Sequence, residues 1–198
     1  MTGTLLRGAK PVGAAPITLN NETLTETGAA TSNELLATIP QVTNYFNRVP
    51  VTDLAIATNQ IQVSRPNLRN ISSSNAASSG TLILIDGHRI ASVGVRQASI
   101  DPDIIPPGAI ERVEVVTEGG SATYGADAVA GVINFITKRK VDGVELGVRY
   151  GTADNYWQTD ASITAGTDWG AGSAYLSYTF MRNDDLYGRD RDFVHSVS

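Results

Sequence analysis

The chain has 198 residues, 41% hydrophobic and 18% charged, with a net charge of −5 and no cysteine. Those values exclude bulk disorder, a disulfide framework and a thiolate metal site. No stretch carries a basic excess, so nucleic-acid binding has little support.

The charge is unevenly placed. Residues 1–140 hold 11 Lys+Arg and 11 Asp+Glu, whereas residues 141–198 hold 4 and 9. Aromatic residues shift at the same point, with four before residue 141 and nine after it. The composition therefore places a domain boundary between 1–140 and 141–198. Leu82–Ile85 is the longest purely aliphatic run, far short of the roughly 20 apolar residues of a membrane helix. Strands of about ten alternating residues suffice for a membrane barrel, so that architecture stays open. Met1-Thr2-Gly3-Thr4 leads into Arg7 and Lys10 without an apolar segment, so no signal peptide is expected in this chain.

In chain order, residues 1–20 read as extended chain, broken by Gly3, Gly8, Pro11, Gly13 and Pro16. A helical turn is expected over Asn21 to Thr27, with Gly28 as a left-handed exit. Thr31 and Glu34 have capping-box spacing ahead of Leu35, Leu36 and Ile39, and Pro40 ends that helix. Ile61-Gln62-Val63-Ser64 could form a short strand, and residues 68–80 read as a long polar loop. Thr81 to Ile85 is predicted as a buried central strand, apolar throughout because both faces are covered. Asp86-Gly87 forms a tight turn. Residues 91–109 are mostly loop, with one helical turn opened by Pro106-Pro107. Arg112 to Thr117 is a strand, Gly119-Gly120 breaks it, Ser121 to Tyr124 turns helically, and Gly131 to Thr137 is a further strand.

From residue 143 the pattern becomes strictly period two. Val144, Leu146, Val148 and Tyr150 oppose Glu145, Gly147 and Arg149. Trp157, Ala161, Ile163 and Ala165 face away from Gln158, Asp160, Ser162 and Thr164, and Ala174, Leu176, Tyr178 and Phe180 alternate with Ser173, Tyr175, Ser177 and Thr179. Turns are expected at Thr152–Asn155 and Thr167–Gly170. The alternation suits a membrane barrel with aromatic residues towards its strand ends. It equally suits a soluble antiparallel sheet with one wet face.

Three pieces stand out together: Leu84-Ile85-Asp86-Gly87, Ile110-Glu111-Arg112-Val113-Glu114-Val115, and Ala122-Thr123-Tyr124-Gly125-Ala126-Asp127-Ala128-Val129-Ala130-Gly131-Val132-Ile133-Asn134. In this order and spacing they resemble the plug domain of TonB-dependent outer-membrane receptors. The resemblance covers roughly residues 10–140 as plug and 141–198 as opening barrel strands. It implies an α+β plug, a small mixed β-sheet with short helices, followed by about three antiparallel strands of an incomplete transmembrane β-barrel. It further implies the cell outer membrane, with its lipid and the inner-membrane TonB complex as partners. The substrate would be a scarce nutrient such as a siderophore, cobalamin or oligosaccharide. Arg69 stands where the family often has an arginine leading into the first apical loop. Asn67, Arg69, Asn70, His88, Arg89, Arg96 and Gln97 are thus the candidate substrate contacts. Glu111, Arg112 and Glu114 would be enclosed by the barrel and must be paired there, so wall residues are their expected partners. Simple solvation on an exposed face is the plainer alternative. The segment that TonB grips is incomplete, since Met1-Thr2-Gly3 looks like the tail of a Val-Thr-Gly junction. Three strands cannot close a pore, because the smallest common barrels have about eight. The chain is therefore expected to be a fragment.

Catalytic and cofactor motifs are not expected. His88 and His195 are too sparse for a zinc site. The Gly119–Gly131 stretch lacks the Gly-Lys-Ser/Thr ending of a phosphate loop, and no serine sits in a nucleophile elbow. Asp101, Asp103, Asp184, Asp185, Asp190 and Asp192 lack calcium-loop spacing. No cofactor, metal or enzymatic activity is assigned. The alternative from another class is a soluble periplasmic binding or interaction module that uses a plug-like domain without a pore; a nonfunctional gene remnant is the third.

Overall fold

The computed structural model describes residues 17–20, 23, 26–29, 31–43, 66–69, 80–91, 102–117 and 120–184. The chain divides into two compact units, Met1–Arg139 and Lys140–Ser198. The strand expected at Ile61–Ser64, the extended chain expected over residues 1–16 and the residues beyond Asp184 lie outside the described residues.

The first unit holds a five-stranded sheet of β1 (Ile17–Asn20), β4 (Thr81–Ile85), β5 (His88–Arg89), β6 (Ile110–Val116) and β7 (Gly131–Thr137). Their spatial order is β1-β6-β7-β4-β5, and a separate two-stranded ladder joins β2 (Val42–Thr43) to β3 (Asn67–Leu68). β4 runs parallel to β7, and the other neighbours are antiparallel. The sequence places Thr81–Ile85 at the centre of the sheet, but the centre is β7. β4 has only the two-residue β5 beyond it, and its continuous apolar character comes from cover on its faces.

Those faces follow from the strand period of two. Ile83 on β4, Val113 and Val115 on β6, and Ile133 and Phe135 on β7 share one buried cluster with Leu35, Leu36, Ile39, Leu68, Ile105 and Ile110. On the other face Leu82, Leu84 and Val132 join Ala128, with Val116 and Tyr124 packed against them. Each fully buried side chain of this size contributes roughly 1.5–3 kcal/mol of transfer free energy.

Helix α1 (Ser32–Ala37) begins as the capping residues dictate: the Thr31 hydroxyl accepts the Glu34 N–H at 3.1 Å. It is also held from outside. The Asp103 carboxylate, on a 3-10 turn at Pro102–Ile104, accepts the Asn33 N–H at 2.8 Å, and the Ser32 hydroxyl donates to the Ile105 carbonyl. The expected turn before α1 is present, with the Thr27 N–H donating to the Thr23 carbonyl and Gly28 at φ +61°. Pro107–Ala109 forms the expected single turn, here 3-10. Helix α2 (Gly120–Tyr124) and a 3-10 turn at Ala126–Ala128 complete the unit.

The second unit is an antiparallel sheet of β8 (Gly143–Ala153), β9 (Tyr156–Asp168) and β10 (Ser173–Asn183), in the order β10-β9-β8. Its hairpins are tighter than the sequence suggests. Thr152 and Ala153 pair with Trp157 and Tyr156, so the first turn is Asp154-Asn155 alone, with Asn155 at φ 53°. Thr167 and Asp168 likewise stay in register with Ala174 and Ser173. No helix among the described residues is long and apolar enough to cross a membrane.

Candidate functional site

The three ordered sequence elements meet on β7. The hairpin after β4 has positive φ at both central residues, Asp86 at 49° and Gly87 at 79°, as a type I′ turn requires. Its polar groups are consumed by β7. The Asp86 N–H donates to the Phe135 carbonyl at 2.8 Å. The Asp86 carboxylate accepts the Thr137 N–H at 2.9 Å and the Thr137 hydroxyl at 2.7 Å. Asn134, only 3% exposed, accepts the Gly87 N–H at 3.0 Å. Aspartate in this turn thus ties two strands that are parallel neighbours.

The segment 120–131 lies over the smaller apolar cluster, with the Tyr124 ring packed against it. Gly131 is at φ +142°, and a Cβ there would come within 2.5 Å of the Val116 carbonyl oxygen and 2.7 Å of Leu68 Cδ1. Only glycine satisfies both conditions. Arg89 holds the segment from the β5 side: its guanidinium donates to Asp127 at 2.6 Å and to the Tyr124 carbonyl.

The charged strand β6 has an internal arrangement that the sequence did not disclose. Between Ile110 and Arg112 the register with β7 shifts, leaving Glu111 as an extra residue. A bulge of this kind re-aims a side chain, and Glu111 here reaches Arg112. Arg112 donates from Nη1 to Glu111 and from Nε to Glu114 at 3.0 Å. Glu114 and Arg112 retain only 13% and 19% side-chain exposure, against 45% for Glu111. The three charges therefore satisfy one another in part within the unit and sum to one negative charge.

The candidate substrate contacts do not gather at one place. Arg69 is exposed, sits at φ 60° and donates to the Thr117 carbonyl at 3.3 Å. Its neighbour Leu68 donates its N–H to the Thr81 hydroxyl at the start of β4. His88, also exposed, pairs with Ile85 at the far end of β4, about four strand residues or ~13 Å away. Asn67 is 2% exposed, which removes its side chain from direct contact with a ligand in this conformation. Arg89 is engaged with Asp127 and Tyr124. Asn70, Arg96 and Gln97 lie outside the described residues.

The second unit separates polarity by face with unusual completeness. Register aligns Leu146, Ile163 and Tyr178 across the sheet, then Val148, Ala161 and Phe180, then Val144, Ala165 and Leu176. These rows face outward: Leu146 and Leu176 are 75% exposed and Val148 is 82% exposed. The opposite face carries the polar groups, and there Asp160 and Thr164 are buried at 4% and 2%. Asp160 accepts Arg149 Nε at 2.8 Å and Gln158 Nε2 at 3.1 Å. Thr164 and Ser177 hydroxyls bond at 2.8 Å, and Lys140 pairs with Asp168 at 2.7 Å. A sheet built for water would reverse this exposure.

A family model described as the TonB-dependent receptor plug domain matches residues 12–132. Among solved structures, the unliganded ferric citrate transporter FecA is similar at TM-score 0.65 and 25% identity, over 89% of this chain and 26% of its own. The siderophore receptor PirA from Acinetobacter baumannii gives 0.57 at 20% identity, covering 84% of this chain and 24% of that one. A variant of the ferric enterobactin receptor PfeA from Pseudomonas aeruginosa, in complex with enterobactin, gives 0.59 at 18%, covering 85% and 25%. The chain thus spans about a quarter of the length of these receptors. The mixed sheet with short helices, followed by three antiparallel strands, matches a receptor plug and the start of its barrel. The family model takes in more than half of the sequence, and the chain belongs to the TonB-dependent receptor plug domain family, a family of outer-membrane transport receptors.

Proposed function

We propose that residues 1–140 act as the gate, and residues 141–198 as the opening wall strands, of a receptor for energy-coupled uptake across the outer membrane. The observation that carries this reading is the polarity of the three-stranded sheet, whose exposed rows are apolar and whose buried Asp160 and Thr164 are hydrogen-bonded polar groups. A barrel wall with lipid outside and a polar lumen inside has that requirement. The gate fills the lumen, and TonB, energised at the inner membrane, rearranges it to admit substrate. The chain's part in this is binding and gating, with no bond chemistry.

The substrate is a scarce nutrient of the siderophore, cobalamin or oligosaccharide kind. Receptors for ferric citrate and siderophores among the similar structures make a ferric chelate the first to test. Arg69 is the contact best supported by position: it is exposed, carries a positive charge and adopts a backbone conformation that non-glycine residues rarely hold. Asn70, Arg96 and Gln97 supply further contacts, with His88 and Arg89 at the β5 hairpin. Arg112, Glu111 and Glu114 pair further with wall residues. The guanidinium Nη2, unengaged among the described residues, is the donor left for such a partner.

Two measurements test the reading. Calorimetric titration of the detergent-solubilised chain with ferric citrate, a ferric catecholate, cobalamin and a maltooligosaccharide is expected to show binding of an iron chelate, weakened by Arg69→Ala. A folded chain that binds none of them sinks the ligand-binding role of this part. Sedimentation without detergent separates the soluble-module alternative. The exposed aliphatic rows and open strand edges should drive aggregation, and a monodisperse monomer would overturn the wall assignment.

A further inference from the structure

On the face of β6 that carries Arg112 and Glu114, the ladder sets Glu114 directly opposite Asn134 of β7. The Gly87 N–H bonds to the amide oxygen of Asn134 at 3.0 Å, which fixes the other end of that side chain as the nitrogen. This nitrogen, Nδ2, is buried and has no hydrogen-bond partner among the described residues. A buried N–H without an acceptor carries its whole desolvation cost, so the position calls for a partner. Leu84 across the parallel ladder and Val132 and Ile136 along β7 are the other neighbours on this face, and all are apolar. Asn134 is only 3% exposed, so an acceptor from outside the sheet has no direct approach. Glu114 is the acceptor within reach, because opposed residues of an antiparallel pair have Cβ atoms about 5 Å apart.

The Glu114 carboxylate is turned elsewhere. It reaches along its own strand and accepts Arg112 Nε at 3.0 Å, while Arg112 Nη1 donates to Glu111. The two acids would fare differently if the guanidinium left. Glu111 keeps 45% of its side chain exposed and would be hydrated. Glu114 keeps 13%, and a carboxylate so enclosed is costly without a donor.

We infer that Asn134 Nδ2 is a reserve donor for Glu114: when Arg112 turns to a wall carboxylate, Glu114 swings across the ladder onto Asn134. The inference rests on the gate-and-wall reading above and makes Asn134 a positioning residue for the Arg112 contact. In the arrangement seen here, Arg112 holds Glu114 and the Asn134 N–H goes unmet. In the other, the amide is met and the guanidinium is released. Glu114 gives up one donor and gains another, so a carboxylate outside the gate shifts the balance by its own pairing with Arg112.

The test uses the detergent-solubilised 198-residue chain with isotope-labelled asparagine. The Asn134 side-chain N–H pair is read by NMR, with the main-chain amides of β7 as the folding control. Arg112→Met stands in for departure of the guanidinium. It is expected to shift one Asn134 Nδ2 proton downfield and slow its exchange by about tenfold, with the β7 amides still protected. Arg112→Met/Glu114→Ala should return both values to those of the parent. An Asn134 N–H pair that Arg112→Met leaves unmoved, or that moves as far in the double variant, overturns the reserve-donor role. Loss of β7 protection in Arg112→Met also overturns it, since Glu114 would then have found no substitute. These outcomes concern the gate alone and leave the wall reading intact; that reading falls instead on a monodisperse monomer in the absence of detergent.

Discussion

The two sheets of this chain are built from similar residues and solve opposite problems. In the five-stranded sheet, aliphatic side chains are enclosed: Val113, Ile133 and Phe135 are 0% exposed. In the three-stranded sheet the same residue types stand outside, while Asp160 is 4% exposed and bonded to Arg149 and Gln158. Apolar content alone therefore does not say which way a strand faces. The decisive quantity is which groups find partners, since a buried carboxylate without donors would cost several kcal/mol.

The sharpest way to break this contrast is to truncate one aliphatic side chain in each sheet. Phe135→Ala should destabilise the first unit by about 3–5 kcal/mol, read as earlier hydrogen exchange across β4, β6 and β7. Leu176→Ala, at a site 75% exposed, should leave urea stability within about 0.5 kcal/mol while weakening vesicle association. Comparable destabilisation from both would mean that protein, not lipid, covers the outward rows.

Gly131→Ala is expected to cost about 2–3 kcal/mol, because the left-handed backbone and the close Val116 carbonyl both oppose a Cβ. Exchange protection lost at β7 but kept at β9 would confirm that the two units respond separately. In the second unit, Asp160→Asn removes the charge that orders Arg149 and Gln158. A loss of about 1–2 kcal/mol is expected, visible in tryptophan fluorescence because both tryptophans, Trp157 and Trp169, lie in that unit. No loss would show that the polar face is stable without its buried pair. Arg89→Ala should be mildest, at about 0.5 kcal/mol, since its partner Asp127 is 59% exposed. Its effect should be confined to segment 120–131.

Local features were legible in the sequence, and sheet-level ones were not. The Thr31 cap, the Asp86-Gly87 turn and the period-two face of Val144, Leu146 and Val148 depend on neighbours within a few residues, so the spacing reveals them. The Glu111 bulge is invisible because it is defined only against β7. Asp103 reads as a loop acid, yet it holds a helix start some seventy residues earlier in the chain. The same limit grouped Arg69 with His88, which sit at opposite ends of β4. It also made β4 the central strand, because an apolar run reports cover on its faces and not its rank in the sheet. Asn67 looked like a surface amide beside Arg69, and nothing nearby in the sequence signals its burial.

The order β1-β6-β7-β4-β5 has a consequence for how the first unit comes into being. Its middle strand is the last of the five to be synthesised. Until Gly131–Thr137 is available, β1–β6 and β4–β5 are two halves with no ladder between them. Ile17 must also find Val115 across most of the unit, a contact of the long-range sort that slows folding. Aliphatic strand surface of this unit thus stays uncovered until its last strand is made, a state exposed to aggregation. Cooperative assembly waits on a single seven-residue strand.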